Sequence, residues 1–206
     1  MRGRRGDSSG RGRVAVLKRL KSFSIVILAG LTAACGGGPA PTTFDLTLPD
    51  RVGRASPGRS QLVVAEPSAL QQLDSERILV RGADNTVSFI GGAQWADRLP
   101  RLVQFRVVQA FENTGRSVGR AGTGINGDLG LIGELRAFHL DAGRGEVVVE
   151  YSARLVDATS SRIIAAQVFR ATEPVSGDNP GQVAGALDRA LQNVLSQLVR
   201  WANGRS

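Results

Sequence analysis

The sequence LIGELRAFHLDAGRGEVVVEYSARLVDATSSRIIAAQVFRA, at residues 131–171, contains three strand-like segments in succession. Apolar residues alternate with polar ones or form short runs over 131–140, 146–157 and 162–171, as in half-buried strands. The turns between them, at 142–145 and 158–161, are short enough to join antiparallel neighbours. This stretch therefore predicts two consecutive hairpins.

Shorter strand-like segments precede this stretch. They share apolar residues at alternate positions or in short runs, and they lie at 43–48, 61–65, 77–81 and 86–90. Residues 67–75 indicate a short helical turn. Residues 50–59 and 115–130 are rich in residues that break regular structure, and they predict loops.

Two further segments have the spacing of amphipathic helices. In the first, apolar residues three or four positions apart share one face: Leu99, Leu102, Val103, Val107, Ala110 and Phe111. Pro100 suits the first turn of this helix, where its missing N–H costs nothing. The second helix follows Asn179, an N-cap residue with Gln182 three positions on. Its apolar face comprises Val183, Leu187, Leu191, Val194 and Leu198.

These elements together predict an α+β fold. About seven strands, several of them in hairpins, and two amphipathic helices are typical of an antiparallel sheet with both helices on one face. Residues 42–206 have the length of one ordinary domain, so we expect a single core.

The positive charge of the chain is concentrated at its N-terminal end. The formal net charge is +8, but residues 1–34 hold eight of the 26 cations and one of the 18 acids. The remaining residues therefore carry 18 cations, all arginine, and 17 acids. A nucleic-acid-binding domain needs a basic surface of its own to displace counterions. The charge distribution thus argues against nucleic acid as a partner.

Residues 1–34 have the parts of a signal peptide. Lys18, Arg19 and Lys21 form a positive end, and residues 23–31 form an apolar stretch. This stretch is too short for a spanning helix, which needs about 20 residues.

Cys35 follows this leader directly and is the only cysteine of the chain, so it has no internal disulfide partner. The small residues before it resemble a lipobox, although Thr32 stands where leucine is usual. We therefore expect cleavage before Cys35 and attachment of lipid to its sulfur.

Residues 36–41 (GGGPAP) oppose regular structure and predict a flexible tether. An Asp directly after the cysteine resembles an inner-membrane retention signal of enteric bacteria, and Gly36 occupies that position here. This favours the periplasmic face of the outer membrane, with inner-membrane anchoring still open. The expected organisation is a signal peptide at 1–34, a lipidated cysteine and tether at 35–41, and one domain at 42–206.

Two glycine motifs have the letters of catalytic sites without the surrounding elements. Residues 122–127 match G-x-G-x-x-G, but a dinucleotide site needs a strand before the motif and a helix after it. Residues 115–119 match the hydrolase elbow G-x-S-x-G, again without its strand and helix. Asp128 and His139 follow Ser117 in the order of a hydrolase triad, so that alternative stays open at this stage.

Other polar and aromatic residues give weaker signals. His139 is the only histidine, and a surface or partly buried strand histidine is more common than a metal ligand. Carboxylates along the predicted hairpin indicate solvated charges: Asp141, Glu146 and Glu150. The two tryptophans predict packing beside the helices: Trp95 and Trp201. The sequence therefore predicts no catalytic, cofactor or metal site, and no enzyme.

Several segments occur in the order found in one known family. They are 44–46 (FDL), 73–78 (LDSERI), 95–100 (WADRLP), 111–112 (FE), 135–138 (LRAF) and 184–201, and WADRLP is the most specific. Over most of residues 42–202 the chain resembles the ABC-type transport auxiliary lipoproteins, which include the PqiC-type lipoproteins. It departs from them at Phe44, where tyrosine is more usual.

The resemblance implies a helper of a transport system that links the two membranes. In such systems an ATPase and a permease lie at the inner membrane, and a periplasmic MCE-domain protein carries lipid. The lipoprotein is the outer-membrane end piece. The expected partners are therefore the MCE-domain protein and its ABC permease and ATPase, besides the membrane itself, and a homo-oligomer is compatible with this.

Two alternative hypotheses compete with a role in transport. One is a structural lipoprotein of another envelope assembly, such as lipopolysaccharide insertion or a Tol-like system; the other is a periplasmic hydrolase that uses Ser117. For a transport partner, the expected docking surface is an open sheet face or an exposed strand edge, at 61–65 or 162–171.

Overall fold

The computed structural model describes residues 39–49 and 60–205, and within them it has nine strands and two helices. The predicted signal peptide, Cys35, the first part of the tether and the predicted loop at 50–59 lie outside the described residues. The strands are β1 (Thr42–Phe44), β2 (Leu62–Val64), β3 (Ser68–Ala69), β4 (Arg77–Arg81), β5 (Val87–Trp95), β6 (Val118–Arg120), β7 (Leu129–Asp141), β8 (Glu146–Asp157) and β9 (Ile163–Pro174). The helices are α1 (Leu99–Glu112) and α2 (Pro180–Asn203).

The predicted hairpins are confirmed as β7–β8 and β8–β9. Both pairs are antiparallel, with Leu129 opposite Asp157 at one end of the first pair and Asp141 opposite Glu146 at the other. In the second pair Tyr151 lies opposite Phe169. These three long strands form the regular part of the sheet.

The other edge of β7 pairs with three short strands in succession, and all three run parallel to it. β2 lies beside the start of β7, β3 beside its middle and β4 beside its end. β6 then extends the sheet from β2 in parallel, while β5 pairs antiparallel with β4 and β1 pairs parallel with β5. The prediction of a purely antiparallel sheet of about seven strands was therefore wrong, because only consecutive hairpins enforce antiparallel pairing.

Three local predictions also need correction. The predicted strand at 43–48 leaves the sheet after Phe44, because Asp45 pairs with Arg106 of α1 and Thr47 bonds to Asp188 of α2. Apolar and polar residues do alternate in this segment, but its polar residues bind side chains of the two helices and not a neighbouring strand. The predicted helical turn at 67–75 begins as β3, and only the backbone around Leu70 turns. The loop predicted at 115–130 contains β6.

Both helices pack on the same face of the sheet, as predicted. α1 lies against β2 and β6, α2 lies against β8 and β9, and the two helices contact each other. Pro100 occupies the first turn of α1, and the Asn179 side chain accepts a hydrogen bond from the Gln182 backbone N–H at 3.2 Å. The predicted apolar helix faces are buried, and the largest fully buried side chains of the core include Trp95, Phe111, Phe138, Tyr151 and Phe169. Neither of the two described helices is long and apolar enough to cross a membrane.

Candidate functional site: a basic groove on the open sheet face

The sheet face opposite the helices carries a groove with a cavity volume of about 770 Å³. Strands β4, β7, β8 and β9 contribute its floor, and its walls come from the turn at 70–73 and the hairpin turns at 82–85 and 143–144. No described helix covers this face. The volume lies in the range of small-molecule sites, about 300–1,000 Å³.

Arginine is the most frequent charged residue of the groove lining. Four arginines line it, against two carboxylates: Arg81, Arg136, Arg144 and Arg170 against Asp141 and Glu150. Two carboxylates beside the lining, Glu134 and Glu146, contact Arg136 and Arg144. The positive character of the groove therefore rests on Arg81, which has no carboxylate partner within the described residues, and an anionic ligand is complementary to it.

The four arginines differ in how firmly they are held. Arg170 pairs with Glu150 at 3.0 Å, and Arg136 pairs with Glu134 at 3.1 Å. Arg144 reaches Asp141 only at 3.7 Å. A long, solvent-exposed pair of this kind contributes little, on the order of 0–1 kcal/mol.

Arg81 has no carboxylate partner in the part of the chain that the structure describes. Its Nη2 donates to the Oδ1 of Asn85 at 2.7 Å, across the turn between β4 and β5. Four of its five N–H donors are thus available to a ligand. Arg81 lies level with Asp141 in the pairing of β4 with β7.

His139 lies on the groove floor and is 8 % exposed. Burial lowers the pKa of its imidazole below the ordinary value, and the nearby Arg81 guanidinium lowers it further. Asp141 raises this pKa and Arg170 lowers it, both as smaller effects. The imidazole is therefore neutral at pH 7. The predicted position in a strand is confirmed, but the side chain is buried and not at the surface or partly buried as predicted.

Apolar side chains border the groove. Leu70 is 67 % exposed and Val87 is 46 % exposed, and both line it. Further exposed apolar residues lie on the same sheet face, toward the other end of β7 to β9. We call them the apolar strip: Ile132, Ile163 and Val168. Arg154 is the cation within this strip, opposite Ile132. The open face is thus basic at one end and mostly apolar at the other.

The structure does not assemble the hydrolase triad. Asp128 directly precedes β7, whereas His139 lies near the end of that strand, 11 residues on. At a rise of about 3.3 Å per residue this separates them by more than 30 Å. Ser117 lies at the same end of the sheet as Asp128. Its backbone carbonyl accepts a hydrogen bond from the Leu62 N–H of β2. These three residues cannot act together.

The G-x-G-x-x-G segment is a turn between β6 and β7, as predicted. Gly122 and Gly124 have φ values of +83° and +79°, a backbone that favours glycine. Strand β7 follows it, so no helix N-terminus faces the loop. Within the described residues there is also no group of three His, Cys, Asp or Glu side chains that could hold a metal ion.

The two tryptophans belong to the core, as predicted. Trp95 packs edge-on against Phe138, and Trp201 packs edge-on against Phe169, each at 5.6 Å between ring centroids.

Glu146 lies opposite Asp141, and Arg144 bridges the two carboxylates at 3.7–3.8 Å.

One buried cation was missed by the sequence patterns. Arg116 is 3 % exposed and lies where α1 and α2 end. Its Nη1 donates to the Oδ1 of Asn203 at 2.9 Å and to the Ala202 carbonyl at 3.4 Å. A single arginine in a glycine-rich stretch has no periodicity that could have indicated this role.

The described residues thus form a mixed sheet with both helices on one face and a groove lined by arginines on the other. Comparison with known proteins shows its family: the chain belongs to the ABC-type transport auxiliary lipoproteins, whose family model matches residues 44–199. The resemblance found in the sequence is thereby confirmed. The family is an auxiliary component and not a catalytic one by description.

Solved structures and a curated relative are similar to this chain. A crystal structure of a protein from Xanthomonas campestris, of the family DUF330, is similar with a TM-score of 0.72 and 30% identity, covering 79% of this chain and 96% of that chain. A further crystal structure, of an uncharacterized protein, shares the fold with a TM-score of 0.63 and 16% identity, over 79% of this chain and 99% of that chain. An uncharacterized protein of Bradyrhizobium diazoefficiens is 32% identical over 181 residues, 85% of this chain and 49% of that protein. The chain thus spans about half the length of this curated relative.

Proposed function

We propose that this protein is the lipid-anchored envelope component of an ABC transport system that contains an MCE-domain protein. The system moves lipids or other hydrophobic molecules between the inner and outer membranes. Cys35 carries the lipid, and the domain faces the periplasm at the outer membrane. The family match over residues 44–199 carries this proposal, because it describes an auxiliary part of an ABC transporter.

A free strand edge supports a docking role. Two strands were expected to form edges of the sheet. The prediction for β2 was wrong, because this strand lies between β7 and β6. β9 is an edge, since it pairs only with β8 within the described residues. Its unpaired N–H and C=O groups offer a partner chain a surface for strand addition.

The proposal is tested by asking what the full-length lipoprotein binds in its own envelope. After solubilisation in a mild detergent, affinity purification should recover a permease, an ATPase and an MCE-domain protein. Photocrosslinking residues in place of Arg162 and Ala166, at the β9 edge, should capture the MCE-domain protein in living cells.

The matched control is a crosslinking residue in place of Arg101, an exposed position on α1, the helix that lies against β2 and β6. It should yield no such adduct. Recovery of lipopolysaccharide-insertion or Tol-like components, without any ABC component, would support the structural alternative and contradict the transport proposal.

A further inference from the structure

The groove has the composition of an anion site with apolar borders. We propose that it binds the phosphate-bearing headgroup of an anionic membrane lipid, whose apolar part lies along the open sheet face. This inference deepens the proposed function and rests on it, because it takes the lipid from the membrane to which the protein is anchored.

The arginines supply the phosphate-binding chemistry. A guanidinium offers paired N–H donors that match two phosphate oxygens, and such bonds are stronger than neutral ones. Arg81 has no carboxylate partner within the described chain, and Arg144 has only long, exposed contacts with carboxylates. Both line the groove together with Arg170. An anionic oxygen between them gains bonds without first breaking a short ion pair of Arg81 or Arg144.

The apolar borders distinguish a lipid from a free anion. An inorganic phosphate would use only the arginines and would leave the exposed Leu70 and Val87 side chains in water. The apolar strip continues on the same face along β9 from Val168 to Ile163, a length of roughly 16 Å. The charged headgroup of an amphiphile can contact the arginines at one end of the open face while its apolar part covers the apolar strip at the other.

The expected anchor keeps the domain at a membrane. A flexible tether of six residues spans only about 15 Å. Once Cys35 is lipidated, lipid headgroups of that membrane are therefore available to a groove on this domain.

The closing experiment uses the full-length lipoprotein in micelles of a non-ionic detergent. Two photoactivatable lipids with the same diazirine acyl chain, phosphatidylglycerol and phosphatidylcholine, are added at equal mole fraction. We expect at least fivefold more adduct with the phosphatidylglycerol probe, mapped by mass spectrometry to peptides that line the groove. An excess of unlabelled phosphatidylglycerol should remove this adduct.

The variants test whether groove charge, and not total charge, selects the probe. R81Q/R170Q should reduce the phosphatidylglycerol adduct to the phosphatidylcholine level. R101Q/R189Q removes the same charge from exposed arginines of the two helices, on the opposite side of the sheet, and should leave the adduct unchanged. Equal loss in both double variants would overturn the proposal.

Two further outcomes overturn it in defined ways. Displacement of the probe by an equal concentration of inorganic phosphate would make the groove a site for the free anion. A photocrosslinker in place of Val87 that captures a protein in cells, and no lipid, would make it a protein-docking groove. The micelle assay needs no transport partner, so its failure leaves the recovery of ABC components as a separate test.

Discussion

At His139 the fold holds a titratable side chain where its charged form is unfavourable. The imidazole is nearly buried on the groove floor, and the cationic Arg81 and Arg170 act on it against the single opposing Asp141. Arg144 and Glu150 line the same groove. Burial and the net positive surroundings lower the pKa of His139 below about 6.5, its value in an unfolded chain.

This lowered pKa predicts a loss of stability on acidification. Between the folded and unfolded pKa values the unfolded chain binds more protons, so the free energy of unfolding falls as pH decreases through about 6.5. The fall is at most about 1.4 kcal/mol per pH unit. Denaturant unfolding at pH 7.5 and 5.5 should show a larger decrease in the natural protein than in His139→Gln. Equal decreases in both proteins would contradict the assignment, since carboxylates contribute equally to each.

Gly133 shows why some residue-level constraints are invisible in the sequence. It lies in β7, and a Cβ at this position would collide with the hydroxyl group of Tyr151 in the neighbouring strand β8. Tyr151 is fully buried, and its hydroxyl has no hydrogen-bond partner within the described residues. The glycine is needed because of a contact across the sheet, 18 positions away in the chain, which no local pattern encodes.

The ends of the two helices meet at Arg116, which joins elements that are far apart in the chain. Its guanidinium bonds to Asn203 and to the Ala202 carbonyl at the end of α2, and it lies 5.7 Å from the Phe111 ring of α1. Helix C-termini carry partial negative charge, so a cation is favourable there. Two of its nitrogens, Nε and Nη2, are buried without a hydrogen-bond partner in the described part of the chain.

Removal of this contact should destabilise the packing of the helix ends. Arg116→Ala leaves the Ala202 carbonyl and the Asn203 amide without that donor and removes a buried side chain, a loss of about 2–4 kcal/mol. Arg200→Ala, at an exposed arginine in the last turn of α2, should change stability by less than about 0.5 kcal/mol. Chemical denaturation of both variants measures the difference. Similar small effects from the two substitutions would show that Arg116 does not link the helices.

The length of an element explains part of what its sequence indicated, although the three-residue strand β2 was predicted from the apolar run at 61–65. Long segments such as β8 and α2 have enough residues to show a period of two or of 3.6. β3 has two residues and β6 has three, which is too few for any periodicity. Their parallel pairing is also non-local, so turn chemistry could not indicate it. The prediction of the strands was therefore better than that of their arrangement.

The groove could not be predicted for the same reason. Arg81, His139 and Arg170 come from three strands that are far apart in the sequence, and only the pairing of β4, β7, β8 and β9 brings them to one face. Each residue alone has an ordinary interpretation. By contrast, the sequence showed that the hydrolase elbow lacks its local strand and helix, although it left the triad open, and the structure separates Asp128 from His139 along β7.

For the whole molecule, the excess positive charge, the expected attachment site and the folded domain lie in successive parts of the chain. The excess of basic residues lies in 1–34, the expected lipid lies on Cys35, and the domain that begins near residue 42 is close to neutral. Its basic groove is therefore a local feature on a nearly neutral surface. We therefore expect membrane association to depend on the proposed anchor, because a few arginines add only about 1 kcal/mol each near an anionic surface.

The anchor prediction follows from this division. Cys35→Ser should abolish incorporation of a fatty-acid analogue during metabolic labelling, and the protein should no longer enter the detergent phase on phase separation. Gly38→Ser alters the tether but keeps the thiol, so it should label like the natural protein. The thermal unfolding midpoint should be the same in all three, because neither position lies within the described core, which begins at Leu46. Labelling of Cys35→Ser at the natural level would contradict the lipid anchor, and with it the membrane proximity on which the groove proposal depends.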